Sequence, residues 1–314
     1  MEALTIRLQT PTPPDADALI RRLYERLRKE APRRERGPGE ALQAGDEIEC
    51  DTLTVVNGRV LAGSSQRGAR MELRPFLYLP GFYEGLLKIP VFSAETVNVK
   101  LPDDYPVADC AGGEASIYVE VRRAWAVEMP ELDDARALEA AGLGSELDEA
   151  MQIMAQEIDA EQGEELMLNA TQGVLDQIAQ QTEVPDLEKV VDHELQRYWD
   201  ESDGAFLVEK GFEASFLSQA QADFLSDPAM RAQMRRRIRI HVGLGALIEK
   251  EKLVPSPDCV ETLMELAGEA TGLTPEQVKQ ELTRDRAVAH DLVFTGIYLT
   301  AVEHAVARAR FEID

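Results

Sequence analysis

Cysteine, histidine and aromatic side chains are scarce in this sequence, cations are outnumbered, and no apolar run is long. The three cysteines, Cys50, Cys110 and Cys259, lie far apart with no CxxC spacing. A disulfide framework and a thiolate metal site are thereby excluded, and buried thiols in a reducing, cytoplasmic compartment are expected. His193, His241, His290 and His304 have no ligand spacing either, so no metal, haem or other cofactor is expected. Hydrophobic residues make up 44% of the chain. None of their runs approaches the ~20 residues that cross a bilayer, and Met1 to Gln9 shows no basic-then-apolar leader, which argues against a membrane or secreted protein. Lys and Arg number 33 against 58 Asp and Glu, a net charge of −25. Binding a phosphate backbone needs clustered cations to release counterions, so a nucleic-acid binder is excluded as well. No GxSxG elbow, P-loop or GxGxxG after a strand occurs, and Gly243-Leu244-Gly245 falls inside a helical pattern. Asp103 and Asp104 are sequence neighbours, poor partners for paired acid–base work.

What is present divides a 314-residue chain into three regions, in keeping with two or three domains. Residues 1–40 open with alternating Leu4, Ile6 and Leu8, followed by a helix with Leu19, Ile20, Leu23 and Leu27 on one stripe. Asp15 or Asp17 is its expected N-cap. Ala31 to Gly39, rich in Pro and Gly, reads as a linker. Residues 41–127 carry strand patterns at Glu47–Thr52, at Val97, Val99 and Leu101, and at Ile117, Val119 and Val121, with Asn57-Gly58 as a hairpin turn. Pro80 to Leu86 reads as a turn and a short helix. Residues 128–314 are helical throughout, with no strand pattern. Asp227-Pro228, Ser256-Pro257 and Thr274-Pro275 mark helix starts, and Gln277 completes a capping-box spacing with Thr274.

Three stretches in this order resemble the trigger factor family of bacterial folding chaperones. The first is Leu79-Pro80-Gly81-Phe82-Tyr83-Glu84-Gly85-Leu86, similar to the short helix of an FKBP-type prolyl isomerase domain. The second is Leu101-Pro102-Asp103-Asp104-Tyr105, followed by Ala111-Gly112-Gly113-Glu114-Ala115. The third is Glu128-Met129-Pro130-Glu131-Leu132-Asp133, similar to the junction where that family passes from isomerase domain to helical body. Arg235 to Lys252 and the closing helix near Ala305 add to the likeness. The resemblance implies an α+β multidomain fold: an FKBP-like antiparallel β-domain with a short helix at 41–127, and a large all-α, SurA-like helical body with arms at 128–314. Residues 1–40 resemble the connector that packs on this body. The family's basic ribosome-docking loop has no counterpart in these residues, so docking by that route is not expected.

An FKBP-type pocket lowers the ~18–20 kcal/mol barrier to amide rotation through apolar walls and a few hydrogen bonds. By resemblance its residues here are Leu79, Phe82 and Tyr105. Thr52, Leu61 and Ile117 stand where the family has aromatic walls, and Thr54 where it has a glycine. Lost aromatic area weakens the grip on a proline ring, so efficient isomerisation is not expected.

A holding chaperone must also present apolar side chains to unfolded segments. Met151, Met154, Phe206 and Phe212 are the chosen client-binding candidates, with Met167, Phe216 and Phe224 beside them. Met or Phe at helical spacing also suits a core, and Phe212, Phe216 and Phe224 read as one packing stripe. Glu131 to Leu166 holds twelve acids against Arg136, a local net of −11, which can steer basic clients or simply solvate a helix face. The cluster of Arg231, Arg235, Arg236, Arg237 and Arg239 is expected to pair with the body's own acids, and Trp125, Tyr198 and Trp199 to pack. The expected function is an ATP-independent chaperone for unfolded or partly folded polypeptides, with no nucleic-acid or membrane partner and homodimerisation allowed. The rivals are an active peptidyl-prolyl cis-trans isomerase and a dedicated assembly factor or scaffold.

Overall fold

A computed structural model describes residues 4–75, 79–105 and 107–313. In chain order come strand β1 (Thr5–Leu8), helix α1 (Ala16–Glu30), strands β2 (Arg33–Glu35), β3 (Glu47–Val56), β4 (Arg59–Val60) and β5 (Gln66–Glu72) and helix α2 (Phe82–Leu86). Strands β6 (Ala94–Lys100) and β7 (Glu114–Val127) follow, then helices α3 (Ala135–Ala140), α4 (Leu147–Gln181), α5 (Leu187–Glu201), α6 (Asp203–Glu209) and α7 (Ala214–Ser226). Helices α8 (Pro228–Glu251), α9 (Pro257–Thr271), α10 (Pro275–Arg284) and α11 (Arg286–Ala307) lead to a last strand, β8 (Arg310–Ile313). The architecture is α+β, with an antiparallel sheet and a helical C-terminal body. Two compact units divide it: Pro14–Asp159 with Asp192–Arg231, and Met1–Pro13 with Ala160–Val191 and Ala232–Asp314.

The first unit is organised by a six-stranded sheet in the order β2-β7-β3-β4, with β5 also on β3 and β6 also on β7. Every pairing in it is antiparallel. Asn57 and Gly58 both take positive φ, 50° and 80°, the geometry that lets a two-residue turn follow the twist of its strands. Along β7 the residues alternate as expected: Ala115, Ile117, Val119 and Val121 enter a core with Ile48, Cys50, Phe82, Leu86, Val97 and Val99. A separate cluster joins Leu23 and Leu27 of α1 to Leu138, Leu143, Ala150 and Met154. Asp15 caps α1, accepting from the Ala18 N–H at 2.8 Å.

Two expectations are corrected here. Ala31 to Gly39 is not wholly linker, because Arg33–Glu35 forms a strand against Trp125–Val127. The next residue, Arg36, donates to buried Asp46 at 2.5 and 2.8 Å. Nor is the C-terminal region free of strand. In the second unit β8 pairs in parallel with β1, Thr5 opposite Arg310 through Leu8 opposite Ile313. Leu4, Ile6 and Leu8 then share a core with Val174 and Ile178 of α4, Leu244 and Leu247 of α8, and Ala301 and Ala305 of α11. Both pieces are short strands completed by a distant partner, which local pattern does not reveal.

The helix starts read from sequence are present. Ser256 Oγ accepts from the Cys259 N–H at 3.1 Å, and Thr274 and Gln277 form a reciprocal capping box. Asp227 accepts from the Met230 N–H at 2.8 Å. Among the described residues no helix is long and apolar enough to cross a membrane.

One glycine sets how closely α2 lies on the sheet. A Cβ at Gly85 would stand 2.2 Å from Val97 Cγ1, and β-branched Val97 has little freedom to yield. Gly85→Ala is therefore expected to destabilise the unit by about 1–3 kcal/mol in urea unfolding. Adding Val97→Ala to it should recover part of that loss, whereas equal losses in the single and double variants would refute the close approach.

Candidate functional site

The β3–β7 ladder separates two environments. In register, Thr52 lies opposite Val119 and Thr54 opposite Ile117. Phe82 and Ile117 are buried in the sheet-and-helix core, and Leu61, Leu79 and Tyr105 pack partly buried against it. Thr52 is buried within β3. Five of the six isomerase-type positions thus converge on one apolar cluster, with Thr52 beside them on the sheet. Phe82 and Ile117 keep only 5% and 7% of their surface exposed, so they serve chiefly as core, and any ligand contact falls to Leu61, Leu79 and Tyr105. The Ala111-Gly112-Gly113 turn closes on the loop before it: the Gly112 N–H donates to the Pro102 carbonyl at 2.9 Å, and the Leu101 N–H to that of Gly113 at 2.9 Å.

The sheet's opposite face is charged. Asp51 of β3 and Glu120 of β7 are register partners, and Lys210, just after α6, donates to both, reaching Asp51 Oδ2 at 2.6 Å. Arg122 also donates to Asp51, and the Gly68 N–H reaches its other oxygen at 2.9 Å. At the start of α6, fully buried Asp203 accepts from the Gly63 N–H at 2.7 Å, the Ser65 N–H at 3.2 Å and the Ser65 hydroxyl at 2.5 Å. Burial alone would raise the Asp51 carboxyl's pKa. Lys210, the Gly68 N–H and Arg122 outweigh it and hold the group below the usual carboxylate value. Burial likewise works against the Lys210 ammonium, but its bonds to Asp51 and Glu120 leave its pKa raised.

This charged layer decides where two of the four client-binding candidates lie. Phe206 of α6 is fully buried, edge-on to Tyr118 at 6.3 Å with Arg67 and Lys210 over its ring. Phe212 is half-buried, stacked on Phe216 at 5.4 Å and edge-on to Tyr118 at 5.8 Å. Met154 is fully buried in the α1 cluster, and Met151 packs against that cluster. Met154 and Phe206 as they stand offer a client nothing, and Phe212 is engaged with rings of its own unit. Phe212 also precedes α7, so the stripe read across Phe212, Phe216 and Phe224 spans a turn and a helix. Three of the five clustered arginines pair with acids as expected: Arg231 with Asp192, Arg235 with Glu188 and Arg236 with Asp176.

Met167 and Leu168 on α4 are exposed, and a further group of exposed apolar side chains lies on the last helices of the second unit. An open groove of about 400 Å³ is lined by Cys259, Leu263 and Leu266 of α9 and Leu299, Val302 and Glu303 of α11. Leu266 is 55% exposed, Phe294 43% and Leu299 41%. Phe294, also on α11, belongs to a ring ladder, 4.7 Å from Tyr298, which stacks on His241 of α8 at 4.6 Å. The sequence signal for this groove was the uncharged run from Leu292 to Val302 in a strongly acidic chain. Its buried residues Gly296 and Ala301 are small, while Val293, Phe294 and Leu299 of the run stand exposed.

A family model described as bacterial trigger factor protein C-terminus matches residues 146–298. The trigger factor of Bacillus cereus strain Q1 is 27% identical over 286 residues, covering 90% of this chain and 66% of the relative. That of Synechococcus sp. strain WH7803 is 28% identical over 239 residues, covering 73% of this chain and 48% of the relative. The chain thus spans two thirds or less of the length of these curated relatives. A solved structure described as "Promiscuous Substrate Recognition in Folding and Assembly Activities of the Trigger Factor Chaperone" aligns over 93% of this chain and 67% of its own, at 15% identity and a TM-score of 0.37. The chain is a trigger-factor-like protein.

The charged layer is open to test by removing one partner at a time. Lys210→Met leaves buried Asp51 with Arg122 as its remaining cation and is expected to cost about 3 kcal/mol in urea unfolding. Asp51→Asn combined with Lys210→Met should recover much of it, and a harmless single variant would contradict the geometry. Because the folded Asp51 pKa is depressed, its contribution is complete above the unfolded carboxylate value of about 4 and fades as pH falls through the folded value. Asp51→Asn should flatten that acid limb.

Proposed function

We propose that this trigger-factor-like chain is an ATP-independent, cytoplasmic chaperone that holds unfolded or partly folded polypeptides on the apolar surface of α9–α11. The carrying observation is the α9–α11 groove, where large apolar side chains are grouped in the open rather than scattered singly. Grouped exposure of this kind marks an interaction surface. Leu and Phe on helix faces make adaptable, many-point contacts that suit varied, unstructured partners. Such contacts delay aggregation while leaving the client free to depart and fold.

In this reading residues 41–127 are an FKBP-like domain whose pocket has degenerated, residues 1–40 a connector, and residues 128–314 the chaperone body. The connector role draws support from Leu23 and Leu27 packing on Leu138 and Met154, and from Leu4, Ile6 and Leu8 packing on Val174 and Leu244. Degeneration of the pocket draws support from Thr52 and Ile117 at wall positions, both buried within their own fold. Without those rings the twisted imide loses apolar contact on two sides.

Light scattering of a chemically unfolded client diluted into the protein tests the holding role. Suppression of aggregation near equimolar ratio is expected. It should fall several-fold in Leu266→Lys combined with Phe294→Lys, surface changes that leave circular dichroism intact. No suppression by the folded protein would overturn the reading in favour of a dedicated-partner factor. In a proline-limited refolding assay the chain is expected to give little acceleration, unchanged by Tyr105→Ala. Strong acceleration lost in Tyr105→Ala would restore the isomerase.

A further inference from the structure

The β1–β8 ribbon of the second unit has two outer edges, and they are treated differently. Along β1 the outer edge is closed by α4: the Thr5 N–H donates to Gln177 Oε1 at 3.1 Å, and Gln177 Nε2 donates to the Thr5 carbonyl at 2.5 Å. One glutamine amide thus stands in for a neighbouring strand. Along β8 no such cover is present, and among the described residues its one strand partner is β1. A bare edge offers its N–H and C=O groups as a template for another strand.

Backbone direction selects the groups on offer. The Arg310 N–H donates to the Leu4 carbonyl at 2.8 Å. Arg310 and Glu312 therefore turn their backbone toward β1, and Phe311 between them turns its N–H and carbonyl outward. Phe311 also keeps 36% of its surface exposed, although its register partner Ile6 is buried in the core. Its ring is an apolar margin at the lip of that core. On the ribbon's other face Glu312 lies 3.6 Å from Arg7, while exposed Arg310 has no carboxylate partner among the described residues.

We propose that β8 pairs antiparallel with β8 of a second copy of this chain, about a two-fold axis at Phe311. In that register the two Phe311 residues exchange both backbone bonds and set their rings side by side. Arg310 of each copy then falls opposite Glu312 of the other, in the non-hydrogen-bonded pairs where side chains stand closest. The strand is thus complementary to itself in charge. Glu312 is bracketed by Arg7 of its own chain and Arg310 of the other, and each Arg310 gains the carboxylate it lacks. Moving the axis by one residue either way would set Arg310 against Arg310 or Glu312 against Glu312, so charge fixes the register. Four residues from each copy bury less than the ~1,200 Å² of a standard interface, which makes the association weak and concentration-dependent. It uses none of the α9–α11 groove residues.

Sedimentation equilibrium of the full chain at physiological salt, from low micromolar to near-millimolar concentration, tests this. The average mass should climb from monomer toward dimer. Arg310→Glu and Glu312→Arg should each weaken the association by roughly tenfold, since each turns both cross-strand attractions into repulsions. A mixture of the two variants sets acid against base at both pairs, and its association should return to the level of the unaltered chain. Arg310→Glu leaves the Arg7–Glu312 pair in place, so its effect is not a loosening of β8 from β1, and circular dichroism checks that both variants fold. A monomer at every concentration, a dimer indifferent to either reversal, or a mixture no stronger than its components would overturn the proposal. A dimer lost in Leu266→Lys with Phe294→Lys but kept in Arg310→Glu would move the contact to the helical groove and overturn it equally.

Discussion

A carboxylate sealed from water costs several kcal/mol unless cations and N–H groups meet it, and Asp51 is such a carboxylate. Its partners come from three places: Arg122 two residues beyond Glu120 on β7, the Gly68 backbone, and Lys210 after α6. None of the three can be withdrawn without leaving charge stranded, so the position of α6 against the sheet is dictated by electrostatics before apolar packing adds to it. Asp203 repeats the device at the other end of α6, with its oxygens taken by the Gly63 and Ser65 donors. Between these two polar anchors Phe206 is pressed onto Tyr118. A purely apolar contact would tolerate sliding; one pinned by two buried carboxylates has a single register.

The same strand alternation that aims Asp51 and Glu120 outward aims Cys50, Val119 and Val121 inward. The inner face is where an isomerase-type pocket would form, and its side chains are already committed to the core. A pocket needs side chains that the fold can spare. Ile117 and Phe82 are not spared, since α2 lies so close on β6 that Gly85 has no room for a Cβ. Thr52 and Ile117 are therefore held inside a closely packed domain and open no cavity of their own.

Features encoded by neighbours in sequence were legible. The alternation of Ile117, Val119 and Val121, the Asn57-Gly58 turn, and the caps at Asp15, Ser256 and Thr274 each depend on residues within a few positions. Features made by distant partners were not. Arg33–Glu35 and Arg310–Ile313 are strands only because β7 and β1 lie beside them. Asp51 and Lys210 are 159 positions apart, and neither carries a local mark of burial. The burial of Met154 and Phe206 was hidden for the same reason: an apolar residue on a polar helix can face solvent or a partner element, and only the fold decides. The α9–α11 groove had a fainter mark, a run without charge, which chemistry-seeking motifs pass over.

Exposing Leu266, Phe294 and Leu299 invites self-association, and the distribution of charge answers it. Glu261, Glu265 and Glu269 lie on α9, and Asp291 and Glu303 on α11, all exposed. Two copies brought groove to groove would confront these carboxylates across an interface narrower than the ~8–10 Å over which salt screens charge. Repulsion at that range opposes the apolar gain, whereas an uncharged or cationic segment meets no such barrier. On the proposed reading, these carboxylates favour a foreign uncharged or cationic segment over a second copy of the same groove, a selection that apolar contact alone has no means of making.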